Sequence, residues 1–221
     1  MSRQKLTLLT LLVALLSITT VHAQTTVQVL YAANLEKGDS IVNITNTGAN
    51  GAALFGPGLG PVGNICVNLY AFSPDEQLVT CCSCVVTPNG LVSLSVTNDL
   101  MNNTLTGIRA NSATVKLITT STGAIQGVPT FTGTSCNNTA AFVGSAALPL
   151  ALGSQAWGTT LHATPVLGGP YALTERPFLL GTLSAGDLAS ITNRCANIIG
   201  NGSGYGICRG CRTGGQESTR F

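Results

Sequence analysis

Three cysteines within one predicted β-strand place the strongest constraint on how this chain folds. The segment LVTCCSCVV, Leu78 to Val86, carries Cys81, Cys82 and Cys84 among residues that favour extended structure. Side chains alternate between the two faces of a strand, so Cys82 and Cys84 share one face and Cys81 points to the other. This strand therefore offers sulfur atoms to both of its faces.

The N-terminus has the pattern of a secretory signal peptide. Arg3 and Lys5 precede an uncharged apolar run from Leu6 to Ile18, and residues 21–23 (VHA) fit a cleavage site before Gln24. The apolar run is too short to cross a bilayer as a helix. We therefore expect a secreted protein, extracellular or at the cell surface, with no transmembrane segment.

Disulfides are the expected state of the cysteines, because the chain is predicted to be exported and their number, eight, is even. Strand geometry favours one pair: if Phe72 lies opposite Leu78 across the turn SPDEQ, Cys66 lies opposite Cys84. A slip of two residues makes Cys82 the partner of Cys66 instead. The predicted disulfide residues are Cys66, Cys81, Cys82, Cys84, Cys136, Cys195, Cys208 and Cys211.

Two cysteines near the C-terminus leave a second interpretation open. Cys208 and Cys211 have the CxxC spacing that zinc sites and redox sites also use. A redox site places a helix after the pair, whereas here the predicted helix comes before it. A zinc site made by this pair and two strand cysteines is chemically feasible, although the side chains of Cys81 and Cys82 diverge. We favour disulfides, with Cys208 or Cys211 reaching Cys195.

Short runs of alternating apolar and polar residues between turn signals predict an antiparallel β-sandwich of the Ig-like or jelly-roll type. The segment from Gly123 to Gly153 is rich in Gly, Thr and Ala and predicts long loops with one or two edge strands. The predicted strands are Thr26 to Ala33, Ser40 to Asn46, Asn64 to Phe72, Leu78 to Val86, Leu91 to Thr97, Ala113 to Thr120, Trp157 to Ala163 and Arg176 to Leu180.

One helix is predicted near the C-terminus, from Ser184 to Ile199. Its apolar residues recur every three or four positions, which forms one stripe that can pack on the sandwich. Ser184 is placed to cap the helix, with Asp187 three residues later, and Gly200 is placed to end it in the left-handed conformation. The stripe consists of Leu188, Ile191, Cys195, Ile198 and Ile199.

The predicted organisation is one disulfide-stapled domain with short additions at each end. Residues 1–23 form the signal peptide, and residues 24–183 form the β-sandwich. Residues 184–211 form the C-terminal helix and a Cys-rich loop packed on the sandwich, and residues 212–221 form a mobile tail.

The low charge of the chain excludes one class of partner and favours another. Only 8% of the residues are charged, against about a quarter in typical globular domains. Without Arg3 and Lys5 the mature chain is nearly neutral, and it has no cluster of basic residues that would bind the phosphates of a nucleic acid. A neutral surface of small polar groups offers little repulsion between copies, which favours self-association.

No catalytic constellation is apparent, so we expect neither an enzyme nor a cofactor. His162 is the only histidine of the predicted mature chain, and it lies at the end of a predicted strand on the face opposite Trp157 and Leu161. A hydrolytic triad would need it beside a nucleophile and a carboxylate. The carboxylates are scattered along the sequence, at Glu36, Asp39, Asp75, Glu76, Asp99, Glu175, Asp187 and Glu217.

Two blocks of the sequence resemble a family of secreted proteins of environmental bacteria whose function is uncharacterised. They are NICVNLYAFSPDEQLVTCCSCVVTPNGLVSLSVTNDL, from Asn64 to Leu100, and RCANIIGNGSGYGICRGC, from Arg194 to Cys211. This resemblance implies no activity. The segment SIVNITNTG is similar to a strand and turn of bacterial Ig-like sandwiches, including biofilm-matrix fibre subunits, and slightly favours a structural role.

These observations favour a secreted structural protein, namely a surface, matrix or filament subunit that assembles with copies of itself. The alternative is an extracellular binding or adhesion module. Thr26 to Ala33 becomes the N-terminal strand after cleavage, and a terminal strand at a sheet edge offers unpaired backbone groups. Such a strand can pair within its own sandwich or complete the sandwich of a neighbour.

Overall fold

The computed structural model describes residues 25–51, 62–107, 109–136, 150–151, 153–164 and 169–210. The predicted signal peptide, the predicted tail and Cys211 lie outside the described residues. Within them the chain forms strands β1 (Thr25–Ala32), β2 (Ile41–Asn46), β3 (Ile65–Phe72), β4 (Leu78–Val86), β5 (Leu91–Ser95), β6 (Ala113–Ser121), β7 (Gly123–Ile125), β8 (Val128–Thr130), β9 (Ser154–Ala163), β10 (Tyr171–Pro177) and β11 (Leu179–Leu183), and helix α1 (Ala185–Gly200).

The strands form two antiparallel sheets that face each other. Sheet A has the order β11-β1-β6-β3-β4, and sheet B has the order β10-β9-β2-β5. Between them lies one hydrophobic core, with Val67, Leu69 and Leu117 from sheet A against Ile44 and Leu94 from sheet B, all fully buried. The predicted antiparallel β-sandwich with one C-terminal helix is therefore confirmed.

Helix α1 covers the outer face of sheet A and creates a second, smaller core. Ile191 and Cys195 of the helix pack with Tyr70 and Ile118 of the sheet. Because this layer buries Tyr70, the pKa of its hydroxyl is raised above the ordinary value of a tyrosine. Strand β3 is consequently buried on both faces along almost its whole length.

The start of the helix agrees with the prediction, and its end does not. The Ser184 hydroxyl accepts a hydrogen bond from the backbone N–H of Asp187 (3.1 Å) and donates one to its carboxylate (2.8 Å), so Ser184 is the N-cap of the helix. Gly200 is the last residue of the helix and does not adopt the left-handed conformation. The capping residue Asn201 is right-handed (φ −73°), and the first left-handed residue after the helix is Gly202 (φ 69°).

β9 begins at Ser154, three residues before its predicted start, and two other predicted strands have different limits for a tertiary reason. The segment predicted as one strand from Arg176 to Leu180 belongs to β10 and β11, and the chain passes from sheet B to sheet A at Phe178, which is buried in the core. The strand predicted from Leu91 to Thr97 ends at Ser95, because residues Val96–Leu100 form a π-helical turn capped by the Ser95 hydroxyl.

The N-terminal strand lies inside sheet A, so of the two pairings that the sequence left open, within its own sandwich or with a neighbour, the structure shows the first. Val29 of β1 pairs with Leu179 of β11 on one side and with Lys116 of β6 on the other. The strand thus pairs within its own sandwich. Of the Gly-rich region from Gly123 to Gly153, residues 137–149 and 152 lie outside the described residues. In its described first part, β7 and β8 form a separate two-stranded hairpin instead of strands at the edge of a larger sheet.

A substitution of Gly158 tests how closely the two sheets approach. A Cβ atom at Gly158 would lie 2.3 Å from Leu30 Cδ2 and 2.8 Å from the backbone oxygen of Ile41. We expect Gly158→Ala to lower the free energy of unfolding by about 1–3 kcal/mol, since backbone atoms cannot move away freely. Urea unfolding with the disulfides intact measures this change.

Gly186→Ala is the matched control for that experiment. Gly186 lies in the first turn of α1, and the nearest atom to an added Cβ is the Ser184 hydroxyl oxygen at 3.8 Å. Alanine favours helix over glycine by up to about 1 kcal/mol, so this variant is expected to be as stable as the wild type or more stable. Equal stability of the two variants would show that the sheets have room at Gly158.

Candidate functional site

The register between β3 and β4 determines which way each strand cysteine points. Phe72 pairs across the turn as predicted, but the register shifts by one residue between Ala71 and Phe72. Cys66 therefore lies opposite Val85 instead of Cys84. A one-residue shift moves a side chain to the other face of the sheet, so Cys66 and Cys84 point away from each other.

The predicted pair Cys66–Cys84, and its alternative Cys66–Cys82, are therefore wrong. Cys66 is joined to Cys136, with a Cα–Cα distance of 5.8 Å and a sequence separation of 70. The bridge fastens the chain after β8 to the outer face of β3. A hydrogen bond from the Asn64 side chain to the Gly133 carbonyl (2.9 Å) supports the same contact.

The adjacent cysteines Cys81 and Cys82 hold two different layers of the protein. Cys81 is joined to Cys195 of α1 on the outer face, and Cys82 is joined to Cys208 on the inner face. Cysteines of β4 thus form disulfides on both faces, as predicted. The expectation that Cys208 or Cys211 reaches Cys195 is wrong, because Cys195 is bonded to Cys81.

Residues 206–210, which we call the clamp segment, run beside β4 at the edge of sheet A. The backbone N–H of Cys81 donates to the Gly206 carbonyl (2.9 Å), and Ile207 forms a parallel bridge with Cys81. The N–H of Gly206 donates to the Asn103 carbonyl (2.7 Å). The Cys82–Cys208 disulfide then fixes the clamp segment in this place.

Gly206 is the position where the clamp segment comes closest to its neighbours. Its φ angle is 74°, which disfavours any residue with a side chain. A Cβ atom would lie 2.3 Å from Ile198 Cγ2 and 3.3 Å from the Val79 carbonyl oxygen. The glycine therefore allows the chain to leave α1 and pass over the edge of β4.

The clamp segment continues across to sheet B and closes the side of the sandwich between β4 and β5. The N–H of Arg209 donates to the Asp99 carbonyl (3.1 Å). Gly210 lies so close to the π-helical turn that a Cβ would be 2.6 Å from Asp99 Cγ and 2.7 Å from Leu94 Cδ2. This side of the protein is joined both by covalent bonds and by hydrogen bonds.

Two of the scattered carboxylates hold the turn on which the clamp segment rests. Asp39 Oδ1 accepts hydrogen bonds from the N–H groups of Ser40 (2.8 Å) and Thr97 (2.9 Å), and Asp39 Oδ2 accepts from the Ser95 hydroxyl. Asp99 Oδ2 accepts from the Ser95 N–H (2.8 Å). Their hydrogen-bond partners give both carboxylates a structural role.

The opposite side of the sandwich is open. β11 and β10 are the last strands of sheets A and B there, and among the described residues neither has a neighbour on its outer edge. Leu179 and Leu180 of β11 are 71% and 77% exposed. Leu173 of β10 and Tyr31 of β1 are exposed nearby. The sequence analysis missed this surface, although the break at Pro177 inside a predicted strand was a signal for it.

Among the described residues, His162, Asp75 and Asp187 lie in different elements and make separate local contacts. His162 lies near the end of β9 and is exposed, and its Nδ1 is 3.3 Å from the hydroxyl of Thr174 on β10. Asp75 accepts from the Ser73 hydroxyl in the β3–β4 turn. Asp187 belongs to the cap of α1. These contacts provide no nucleophile activated by a base.

The sulfur atoms that a zinc site would need are engaged with each other. Cys82 and Cys208 are joined, and Cys84 is also disulfide-bonded. Within the part of the chain that the structure describes, no three His, Cys, Asp or Glu side chains are grouped in a way that could hold a metal ion. No helix of the described ranges has the length and apolar character required to span a membrane.

A cavity of about 300 Å³ lies at one end of the sandwich, between the β3–β4 turn and the chain around residues 101–110. Its apolar lining consists of Pro74, Val79, Met101 and Ala110, and its polar lining of Ser73, Asp75, Gln77, Thr104 and Thr106. Asp75 is the one titratable side chain among these lining residues, so they offer no pair of groups for acid–base chemistry.

Comparison with known proteins adds no relative to this description. The chain matches no protein-family model, no curated protein and no solved structure. A function for this chain has to be inferred from its own geometry.

Disulfide mapping is the direct test of the pairing. We expect few or no free thiols in the denatured, non-reduced protein, since the structure leaves no described cysteine free. No protease separates the adjacent Cys81 and Cys82, so the pairs need stepwise reduction with differential alkylation. The expected pairs are Cys66–Cys136, Cys81–Cys195 and Cys82–Cys208, and Cys211 is then the remaining partner in the chain for Cys84. A recovered Cys66–Cys84 pair would contradict the register described here.

The clamp segment can be released without disturbing the helix. The Cys82–Cys208 bond closes a loop of 126 residues, and the Cys84–Cys211 bond expected above would hold the same stretch of chain, so the test variant replaces all four cysteines by alanine. We expect the free energy of unfolding to fall by at least about 2–5 kcal/mol and hydrogen exchange at the Cys81 amide to accelerate. The double variant Cys66→Ala, Cys136→Ala is the control, which should lose stability but keep the Cys81 amide protected. Equal protection in both variants would show that these disulfides do not hold the clamp segment.

Proposed function

We propose that this protein is a secreted extracellular structural protein, a subunit of a surface layer, matrix or filament, which associates with copies of itself. The observation that carries the proposal is the difference between the two sides of the sandwich. The clamp segment covers the β4 side, whereas the β10 and β11 side presents exposed leucines and strand edges. Uncovered edges pair readily with other strands unless charges, prolines or bulges prevent it.

The composition supports the same proposal. With 8% charged residues and a nearly neutral mature chain, copies repel each other only weakly. Three disulfides among the described residues are typical of proteins that work in oxidising compartments. Such cross-links stabilise the fold of a subunit that works outside the cell.

Association through the open side requires less rearrangement than donation of the N-terminal strand. β1 is hydrogen-bonded to β6 and to β11, so donating it to a neighbour would break both ladders first. Pairing at the outer edge of β11 breaks no ladder. We therefore assign the association to the open side in this proposal.

A binding or adhesion module is the second candidate, and the outer face of sheet B favours it. Trp157 lies at the middle of this face, between Asn43 on β2 and Pro177 on β10. Ser93 beside Asn43 donates to its side-chain oxygen (2.6 Å). Tryptophan combined with polar neighbours is frequent at binding surfaces.

The two candidates predict different behaviour of the purified mature protein. For a structural subunit we expect sedimentation velocity to show association that increases with concentration, and electron microscopy of native extracellular material to show ordered assemblies. A chain that stays monomeric at every concentration, yet binds extracellular polymer in a saturable way that Trp157→Ala abolishes, would contradict the first candidate and support the second.

A further inference from the structure

Among the described residues, the edge of β11 is the one edge of sheets A and B that is both free of charge and proline and left uncovered. Its sequence, LLGTL, contains neither a charged residue nor a proline. β10 carries Glu175, Arg176 and Pro177, which are residues that discourage edge pairing. β4 is covered by the clamp segment. β5 is also uncharged and exposes Leu91, but the clamp segment crosses it, where Gly210 lies against Leu94.

Exposed apolar side chains lie on both faces of β11. Leu179 pairs with Val29 and Leu180 with Gln28 on β1, so the two leucines point to opposite faces of sheet A. They are 71% and 77% exposed. A strand added at this edge would cover both of them while it pairs with the backbone.

The sequence of β11 is also complementary to itself. In an antiparallel pair of two β11 strands centred on Gly181, Leu179 of one copy lies opposite Leu183 of the other, and Leu180 lies opposite Thr182. The two Gly181 residues face each other at the centre, so no side chains collide there. Two copies related by a two-fold axis contact each other through the same surface, so that surface has to be complementary to itself.

We propose that a second copy of this chain pairs with β11 across a two-fold axis through Gly181. The two copies of sheet A then form one continuous antiparallel sheet of ten strands. This inference rests on the proposed self-association and specifies one of its interfaces, since a two-fold contact closes at a dimer and a larger assembly uses a second contact as well. A pair of five-residue strands buries less surface than the roughly 1,200 Å² of a standard stable interface, so the dimer is reversible and forms at high protein concentration.

Cysteine cross-linking tests the register of the pair. Directly opposed residues of an antiparallel pair have Cα atoms about 4.5–5.5 Å apart, within the range of a disulfide. An added Cβ at Gly181 has 3.4 Å to its nearest neighbour, Val27 Cγ1, so Gly181→Cys fits the fold. We expect the mature Gly181→Cys protein to form a covalent dimer under mild oxidation.

Two controls use the same chemistry at other positions. Thr182 is exposed on the same strand, but its counterpart lies diagonally across the proposed pair, where Cα atoms are too far apart to bridge. Leu105 is 69% exposed and lies away from β11. Thr182→Cys and Leu105→Cys are expected to remain monomeric on the denaturing gel. Cross-linking of Thr182→Cys equal to that of Gly181→Cys would overturn the register.

A charge at the interface tests the contact without adding a thiol. Leu180→Lys removes an apolar contact and puts two ammonium groups near each other in the dimer, and we expect the dissociation constant from sedimentation to rise about tenfold or more. Leu105→Lys is the matched control and should leave the dissociation constant unchanged.

The cross-linking and sedimentation results distinguish a failure of the β11 interface from a failure of the proposed structural role. Association that persists in Leu180→Lys, together with absence of cross-linking in Gly181→Cys, would overturn the β11 interface and leave the structural role standing. A wild-type chain that is monomeric at every concentration would overturn both.

Discussion

The two adjacent cysteines of β4 point to opposite faces of sheet A, and each binds a different part of the C-terminal chain. Cys81 holds helix α1 on the outer face, and Cys82 holds the clamp segment on the inner face. Because neighbouring residues of a strand cannot share a face, the chain between Cys195 and Cys208 has to pass around the edge of β4. The second core, the covered edge and the closed β4–β5 side all follow from that path.

The closed side is also the reason why the proposed edge pairing is assigned to the other side. Covalent bonds across 114 and 126 residues restrict the unfolded chain strongly, and they keep the clamp segment against β4 while the fold persists. The backbone N–H of Cys81 is thereby satisfied within the molecule. β11 has no comparable cover among the described residues, and its leucines remain in water.

A role in extracellular structure agrees with how the protein is stabilised. Charged residues are few. Two of the carboxylates, Asp39 and Asp99, accept hydrogen bonds from backbone N–H groups and thereby hold the π-helical turn in place. Stability comes from the core between the sheets, from the helix layer and from the disulfides. A surface built in this way has little electrostatic means to select a charged partner, whereas backbone pairing at an edge needs no charge.

The sequence by itself determined the local features: the alternation that makes a β-sandwich, the faces of Cys81, Cys82 and Cys84, and the Ser184–Asp187 cap of α1. These depend on neighbours within a few residues. Tertiary structure alone decided the disulfide partners, the interior position of β1 and the open β10–β11 side. A one-residue shift beside Phe72 turned Cys66 away from Cys84, and Cys136, the partner of Cys66, lies 70 residues away. Contacts over such distances depend on the packing of whole sheets, which no short pattern of residues specifies.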